Sequence, residues 1–538
     1  MRTRPGADRF PIFPVAPASY LAMPGGVRAW LLTHDHKRLG LLYLGTTLGF
    51  LSLGTLAAVV AALAGPVASL PLVGPELRHK LLDLHGLGMV FLFVVPAIPG
   101  ALGNLVLPLM LGLRRVAWPR LALVGFWLYV AGGATLLAAV ALGGSGPSWV
   151  FYRPFAAEPE RRALVYSAAV ALLGLSSALN GANLAATIHG RPGPHRALSG
   201  VSYLGFALYV TAAAQLLVTV ALPVVALVGG LEAWRLGLVE HLELGGAAMA
   251  HQLFWFYSHP AIYLANLPAL GVVGELLLVH GGRAPLSRRA VMVCVGLLAA
   301  LGVGGFAYEV LVFLGATGPR VSSLSPLLLA AAALPALVLL LGWAPALLPL
   351  RRAPSVAGLY ALSFVVCVGL GLLSGVWVAL RPGGPTAAHG AYQLSHFHVT
   401  LFGGTAMAFL GGLHHWWPKF TGRMVHEGWA RLAWGLQLLG LLLGFGGVLA
   451  LGGADGGAAP GAMLPWSFRV LAVWGQLVLA AGLAMTFVTF GRSLRRGAAA
   501  PTNPWGGQTL EWQTPSPPPP ENFAPGARPE GPGAARRR

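Results

Sequence analysis

The chain has 538 residues, 56 % of them hydrophobic and only 9 % charged, with 35 Lys and Arg against 16 Asp and Glu. With a mean hydropathy of +0.71, there is too little polar material to coat soluble domains of this size, so soluble multidomain architectures are excluded and an integral membrane protein is implied. A net charge of +19 would suggest nucleic acid on a soluble chain. Here the basic residues sit in short loops between apolar runs, where they report membrane topology and argue for no nucleic-acid partner.

The first 40 residues carry six basic side chains and no short apolar core with a cleavage site, so no secretory signal is expected. Twelve runs of about 20 or more apolar residues follow, each long enough to cross roughly 30 Å of hydrocarbon as a helix. They are 41–64, 86–112, 117–143, 164–188, 200–229, 247–279, 290–314, 326–349, 355–380, 393–417, 427–452 and 467–490. The expected fold is therefore all-α and integral to the membrane, with twelve transmembrane helices. Its divisions are a cytoplasmic segment 1–40, a membrane domain 41–492 and a Pro/Gly-rich tail 493–538 that is expected to be extended or disordered. Twelve crossings put both termini on one side, which collects 26 of the 35 Lys and Arg against 9 opposite. That asymmetry predicts both termini in the cytoplasm. Cys294 and Cys367 each fall inside an apolar run and read as small buried hydrophobes.

Histidines carry the chemistry, because an imidazole in hydrocarbon normally has a partner or a metal. His396 and His398 are two residues apart on one run, hence about 200° apart around a helix. One helix can then present an axial ligand to a different cofactor on each flank. His85 opens the second run at similar depth on the external side. Three histidines at that depth fit one haem held by two imidazoles plus one five-coordinate haem.

Several rarer strings run in order along the chain: His36-Lys37-Arg38-Leu39-Gly40, Leu84-His85-Gly86, Pro108-Leu109-Met110, Trp118-Pro119-Arg120, Tyr257-Ser258-His259-Pro260-Ala261-Ile262-Tyr263, Ser395-His396-Phe397-His398, Trp416-Trp417-Pro418-Lys419-Phe420-Thr421-Gly422 and Asn503-Pro504-Trp505-Gly506. From about His34 to Phe523 the chain resembles subunit I of the haem-copper oxidases, the cytochrome c oxidase family. That resemblance implies two haems, a-type by family. His85 and His398 would be the axial ligands of the low-spin haem and His396 the proximal ligand of the high-spin haem. His259 would be one of three histidines holding copper, with Tyr263 the tyrosine joined to it. Tyr257 and Ser258 would supply hydroxyls for proton transfer. The resemblance also implies a copper-bearing subunit II and further oxidase subunits, cytochrome c as electron donor, and a bacterial-type cytoplasmic membrane.

The chain departs from the family pattern at four places. Tyr308 and Glu309 stand where two further copper-ligand histidines are expected, leaving an oxygen-rich donor set that does not favour copper. Ala336 and Leu339 replace a hydroxyl and a lysine of one proton channel. Arg115 replaces the aspartate at the mouth of the other, although Asn104 remains. The loop from Gly453 to Pro460 has no arginine where a haem-propionate pair is expected. Glu309, inside a span, must be protonated, paired or hydrated. His414-His415 beside Trp416-Trp417 reads as an interfacial anchor, while His34 and His36 read as solvated. Two readings follow: a terminal oxidase subunit reducing dioxygen at a modified centre through Tyr263, His259 and Glu309, or an electron-transfer or structural paralogue in a respiratory complex.

Overall fold

In a computed structural model the residues described are 19–65, 67, 73–142, 160–190, 198–220, 223, 246–281, 286–313, 318, 321, 323–347, 355–379, 391–447, 449 and 466–523. Over these residues the chain is helical throughout, with no strand beyond one isolated bridge between Arg423 and Ala499. After a short helix, Gly26–Leu31, come α1 (His36–Leu63), α2 (Pro75–Met110), α3 (Pro119–Leu142), α4 (Glu160–His189), α5 (Tyr203–Val218) and α6 (Gly246–His280). They continue as α7 (Arg288–Phe313), α8 (Leu324–Leu347), α9 (Val356–Ala379), α10 (391–421), α11 (Glu427–Gly446) and α12 (Trp466–Arg496).

Among the described residues ten helices are long and apolar enough to cross a bilayer. The two other expected runs come back changed. The described part of α5 spans only 16 residues, and α10 is assembled from Ala391–Phe397, a π-helical stretch His398–Ala406 and Met407–Thr421. Helix starts follow local chemistry. Asp35 caps α1 by accepting from the backbone N–H of Lys37 at 2.8 Å and of Arg38 at 3.2 Å. Ser202 caps α5 through Gly205 N–H, and the buried Glu275 of α6 accepts from Leu204 N–H at 3.3 Å, placing an acid at the positive end of α5. Gly422 ends α10 at φ +69°, a left-handed backbone that favours glycine.

Each helix packs against its neighbour in sequence, and α12 returns to α1, so the helices form a ring. Inside it α2 is the most enclosed span, and its π-helical stretch Gly88–Val94 touches that of α10. Leu56, Leu297, Leu341, Trp474 and Val488 are exposed on outer helices, as a lipid-facing surface requires.

Two expectations change near the termini. His36 is buried, not solvated: its Nδ1 donates to Asn104 O at 2.6 Å, and Asn522 Nδ2 donates to its Nε2 at 2.8 Å. The tail, as far as Phe523, docks on the bundle. Asn522 Oδ1 accepts from Lys37 Nζ at 2.6 Å, and Lys37 also pairs with Asp35 at 3.0 Å. Further along, Lys419 Nζ donates to the carbonyls of Thr502, Thr514 and Pro515 and lies over the Trp512 ring. A Pro-rich segment lacks its own core, yet it is ordered here because buried lysines use its carbonyls as their partners. His414 and His415 are buried as well. His415 meets His280 at 3.0 Å, and His414 lies between Tyr360 and Phe490.

Glu511 of this docked segment accepts from Thr509 Oγ1 at 2.6 Å and from Trp416 Nε1 at 3.4 Å. Burial pushes its carboxyl up to about 7, from an ordinary 4.5, with the Thr509 hydrogen bond opposing the rise. A carboxyl raised on folding binds its proton more tightly when docked, so its contribution is full below 4.5 and is lost as pH rises through about 7. Protease cleavage within residues 499–523 is therefore expected to be slower at about pH 5 than at about pH 8, and Glu511→Gln to flatten that dependence.

Candidate haem-binding site

His85 lies near the start of α2, and His396 and His398 lie on α10. Around them the helices widen. The π-helical segments among the described residues are Gly88–Val94 and Ala97–Leu102 on α2, His398–Ala406 on α10 and Leu442–Gly446 on α11. Such turns insert a residue into the helical ladder and recur at functional sites.

The rings of His85 and His398 approach each other between α2 and α10, their planes within 7° of parallel and their centroids 5.8 Å apart. Two imidazoles bound to one metal at roughly 2.0–2.1 Å bring their ring centres to about 6 Å, so the gap matches a single iron between them. His85 Nδ1 lies 3.0 Å from Gly54 O and His398 Nδ1 lies 2.8 Å from Leu394 O. Each Nδ1–H is thus given to a carbonyl, which leaves Nε2 as the ligating nitrogen. Phe445 of α11 stacks on His398 with centroids 4.0 Å apart and planes at 8°. His396 turns to α9 instead, its Nδ1 2.8 Å from Ser374 Oγ. The donor chemistry fits haem iron at both places: a pair of imidazoles on one flank of α10 and a single imidazole on the other.

Among the described residues the donors at this place do not favour copper. Glu309 is buried on α7 and Tyr308, next to it, is half-buried. Their phenol and carboxylate oxygens are harder donors than the two imidazoles expected at these positions and do not replace them as copper ligands. No three His, Cys, Asp or Glu side chains among the described residues are grouped to hold a metal ion. Tyr263 packs on α7, where a Cβ at Gly302 would come within 2.8 Å of its own Cβ. The side chains of Tyr257, Ser258 and His259 lie outside the described residues, as does the loop from Gly453 to Pro460.

Leu339 is fully buried, Ala336 packs beside it in the core, and Arg115 is exposed. Polar groups that hydropathy hides line the interior above Asn104. Its Nδ2 reaches Asn180 Oδ1 at 3.5 Å, and a cavity of about 40 Å³ is bounded in part by Tyr43, Ser176, Ser177, Asn180 and Gln215. Buried Ser177 Oγ and Gln215 Oε1 lack protein partners, so this cavity has the volume and the polarity that ordered water requires. Ser374, Asn180 and Gln215 were not legible as site residues, since a lone serine, asparagine or glutamine in an apolar run carries no spacing signal.

Residues 38–483 match the family described as Cytochrome C and Quinol oxidase polypeptide I. The chain is 33 % identical over 517 residues to cytochrome c oxidase subunit 1 of Thermostichus vulcanus, covering 94 % of this chain and 93 % of that one. It is 30 % identical over 518 residues to a putative cytochrome c oxidase subunit 1-beta of Streptomyces avermitilis, with 92 % and 89 % covered. Among solved structures, a heme-copper terminal oxidase dimer superimposes with a TM-score of 0.69 at 18 % identity, over 85 % of this chain and 84 % of that one. That last likeness is one of fold.

Replacing His85 or His398 with alanine is expected to abolish the low-spin absorbance and remove about half of the bound haem, while His396→Ala removes only the high-spin component. Optical spectra and haem quantitation on the purified variants measure both outcomes.

Proposed function

Because this chain belongs to the cytochrome c and quinol oxidase polypeptide I family and is a subunit-I-like membrane protein of a terminal oxidase, we propose that it binds a low-spin haem through His85 and His398 and a high-spin haem through His396, and passes electrons from the first to the second. The observation that carries this reading is the parallel imidazole pair at 5.8 Å with a third imidazole two residues away on the same helix. When bound, haem supplies reversible one-electron chemistry at iron. The chain's own residues do the rest. Gly54 and Leu394 carbonyls fix the tautomers of the imidazole pair, and Phe445 backs His398.

The same reading takes α5 and α10 as spanning helices alongside the ten long ones, giving twelve crossings with both termini in the cytoplasm of a bacterial-type membrane. Residues 41–492 then form the haem-binding domain between the cytoplasmic segment 1–40 and the tail 493–538. A family protein of this kind works with other subunits, and we assign a copper-bearing subunit II and cytochrome c to the donor side. The haem type by family is a.

A second reading, conduction or structural support without oxygen reduction, is favoured by Tyr308 and Glu309 at the expected copper-ligand positions and by Ala336 and Leu339 in the channel. Neither methyl nor isobutyl groups relay protons. Oxygen chemistry at a centre of Tyr263, His259 and Glu309, with Tyr257 and Ser258 supplying hydroxyls, is the alternative that activity decides.

Metal and haem analysis of the purified complex is expected to return two haems per chain and copper well below one per chain at the site facing α7. Cyanide-sensitive oxygen consumption with reduced cytochrome c would establish the oxidase reading. Two haems reducible by the donor without turnover would establish the conducting one, and a preparation with no haem would overturn both.

A further inference from the structure

The three imidazoles differ in what holds their inner nitrogen. His85 and His398 each use a backbone carbonyl, which no substitution at that position removes. His396 uses a side chain, Ser374 Oγ, at 2.8 Å. Ser374 sits on α9 and gives its own hydroxyl hydrogen to Gly371 O at 2.9 Å. With its hydrogen on Gly371 O, Ser374 offers a lone pair to His396, and the tautomer that ligates through Nε2 is the one that donates Nδ1–H to it. A hydroxyl already donating to a carbonyl is polarised into a better acceptor.

The serine is held firmly. Tyr392 O–H donates to Ser374 O at 3.1 Å, and the Tyr392 ring packs on Trp377 with centroids 5.4 Å apart. The hydrogen-bond chain Tyr392, Ser374, His396 thus starts and ends on α10 and passes through α9. The ring edge also lies along the α9 backbone, where a Cβ at Gly375 would stand 3.5 Å from His396 Cε1. Ser374 is 7 % exposed, so no bulk water competes for the Nδ1 hydrogen.

We propose that Ser374 is a positioning residue for His396: its hydroxyl fixes the tautomer and plane of the imidazole and sets how much electron density the ring gives to the high-spin iron. This rests on the assignment of His396 to haem in the function proposed above. An acceptor on Nδ1 raises the basicity of the ligating Nε2, and loss of such outer partners weakens metal binding by roughly 10–100-fold. More donation favours the ferric state, so removing the acceptor shifts the balance toward ferrous iron.

The test is Ser374→Ala and Ser374→Thr in the intact complex. In Ser374→Ala the iron–histidine stretching band of the reduced high-spin haem, read by resonance Raman, is expected to move to lower frequency. Its midpoint potential is expected to rise relative to the low-spin haem, and its retention to fall about tenfold or more. Ser374→Thr keeps the hydroxyl and restores all three. The low-spin spectrum from His85 and His398 stays unchanged in both variants and reports that the bundle is intact. A Ser374→Ala protein with the wild-type frequency and potential overturns the proposal, and so does a Thr variant that behaves as Ala does. His396→Ala separates the two levels: if that protein keeps the high-spin haem, the ligand assignment fails, whatever Ser374 does.

Discussion

In hydrocarbon an imidazole that offers Nε2 to a metal has to lodge its Nδ1 hydrogen on a protein group, since no water is at hand to take it. With the proposed haem assignment, that requirement organises the centre of the bundle. It brings the α1 backbone at Gly54 against His85, makes α10 satisfy His398 from its own turn at Leu394, and draws α9 to His396 through Ser374. Three neighbouring helices are thereby keyed to the depth at which the three rings sit. The π-helical stretches on α2, α10 and α11 fall at the same level, which is where the regular ladder gives way so that side chains can be aimed inward.

Much of this was legible beforehand, for a reason that differs by element. Runs such as 290–314 and 467–490 return as α7 and α12, because hydropathy over a span measures transfer into lipid and needs no partner. His85, His396 and His398 stood out because polar rings are rare in such runs. The interruption of α10 was hidden: the residues His398 to Ala406 have ordinary helix formers among them, and the π geometry arises from what packs on both sides. Ser374 was hidden in another way. A serine in an apolar helix usually bonds a carbonyl one turn back, as Ser374 does to Gly371, and only the tertiary fold brings His396, 22 residues on, to its other side.

The misreading of the chain ends has a common cause. Composition made 493–538 look unable to fold, and His36 looked solvated because it precedes the first apolar run. Both judgements concern a segment by itself. Asn522 and His36 meet across 486 residues, and neither side of that contact has a local signature. The polar segment gains its order from groups already fixed on the bundle, Lys37 and Lys419, whose ammonium hydrogens require carbonyl acceptors once they are buried.

The joining of Asn522 to His36 and Lys37 also bears on biogenesis. Chains emerge from the ribosome amino end first, at roughly 5–20 residues per second. The first helix therefore waits while eleven further helical stretches are made before the asparagine that seals its first turn exists at all. During that interval His36 and Lys37 must find provisional company, either water at the membrane surface or another polypeptide, and the hoop of helices closes only when the last few dozen residues have been released.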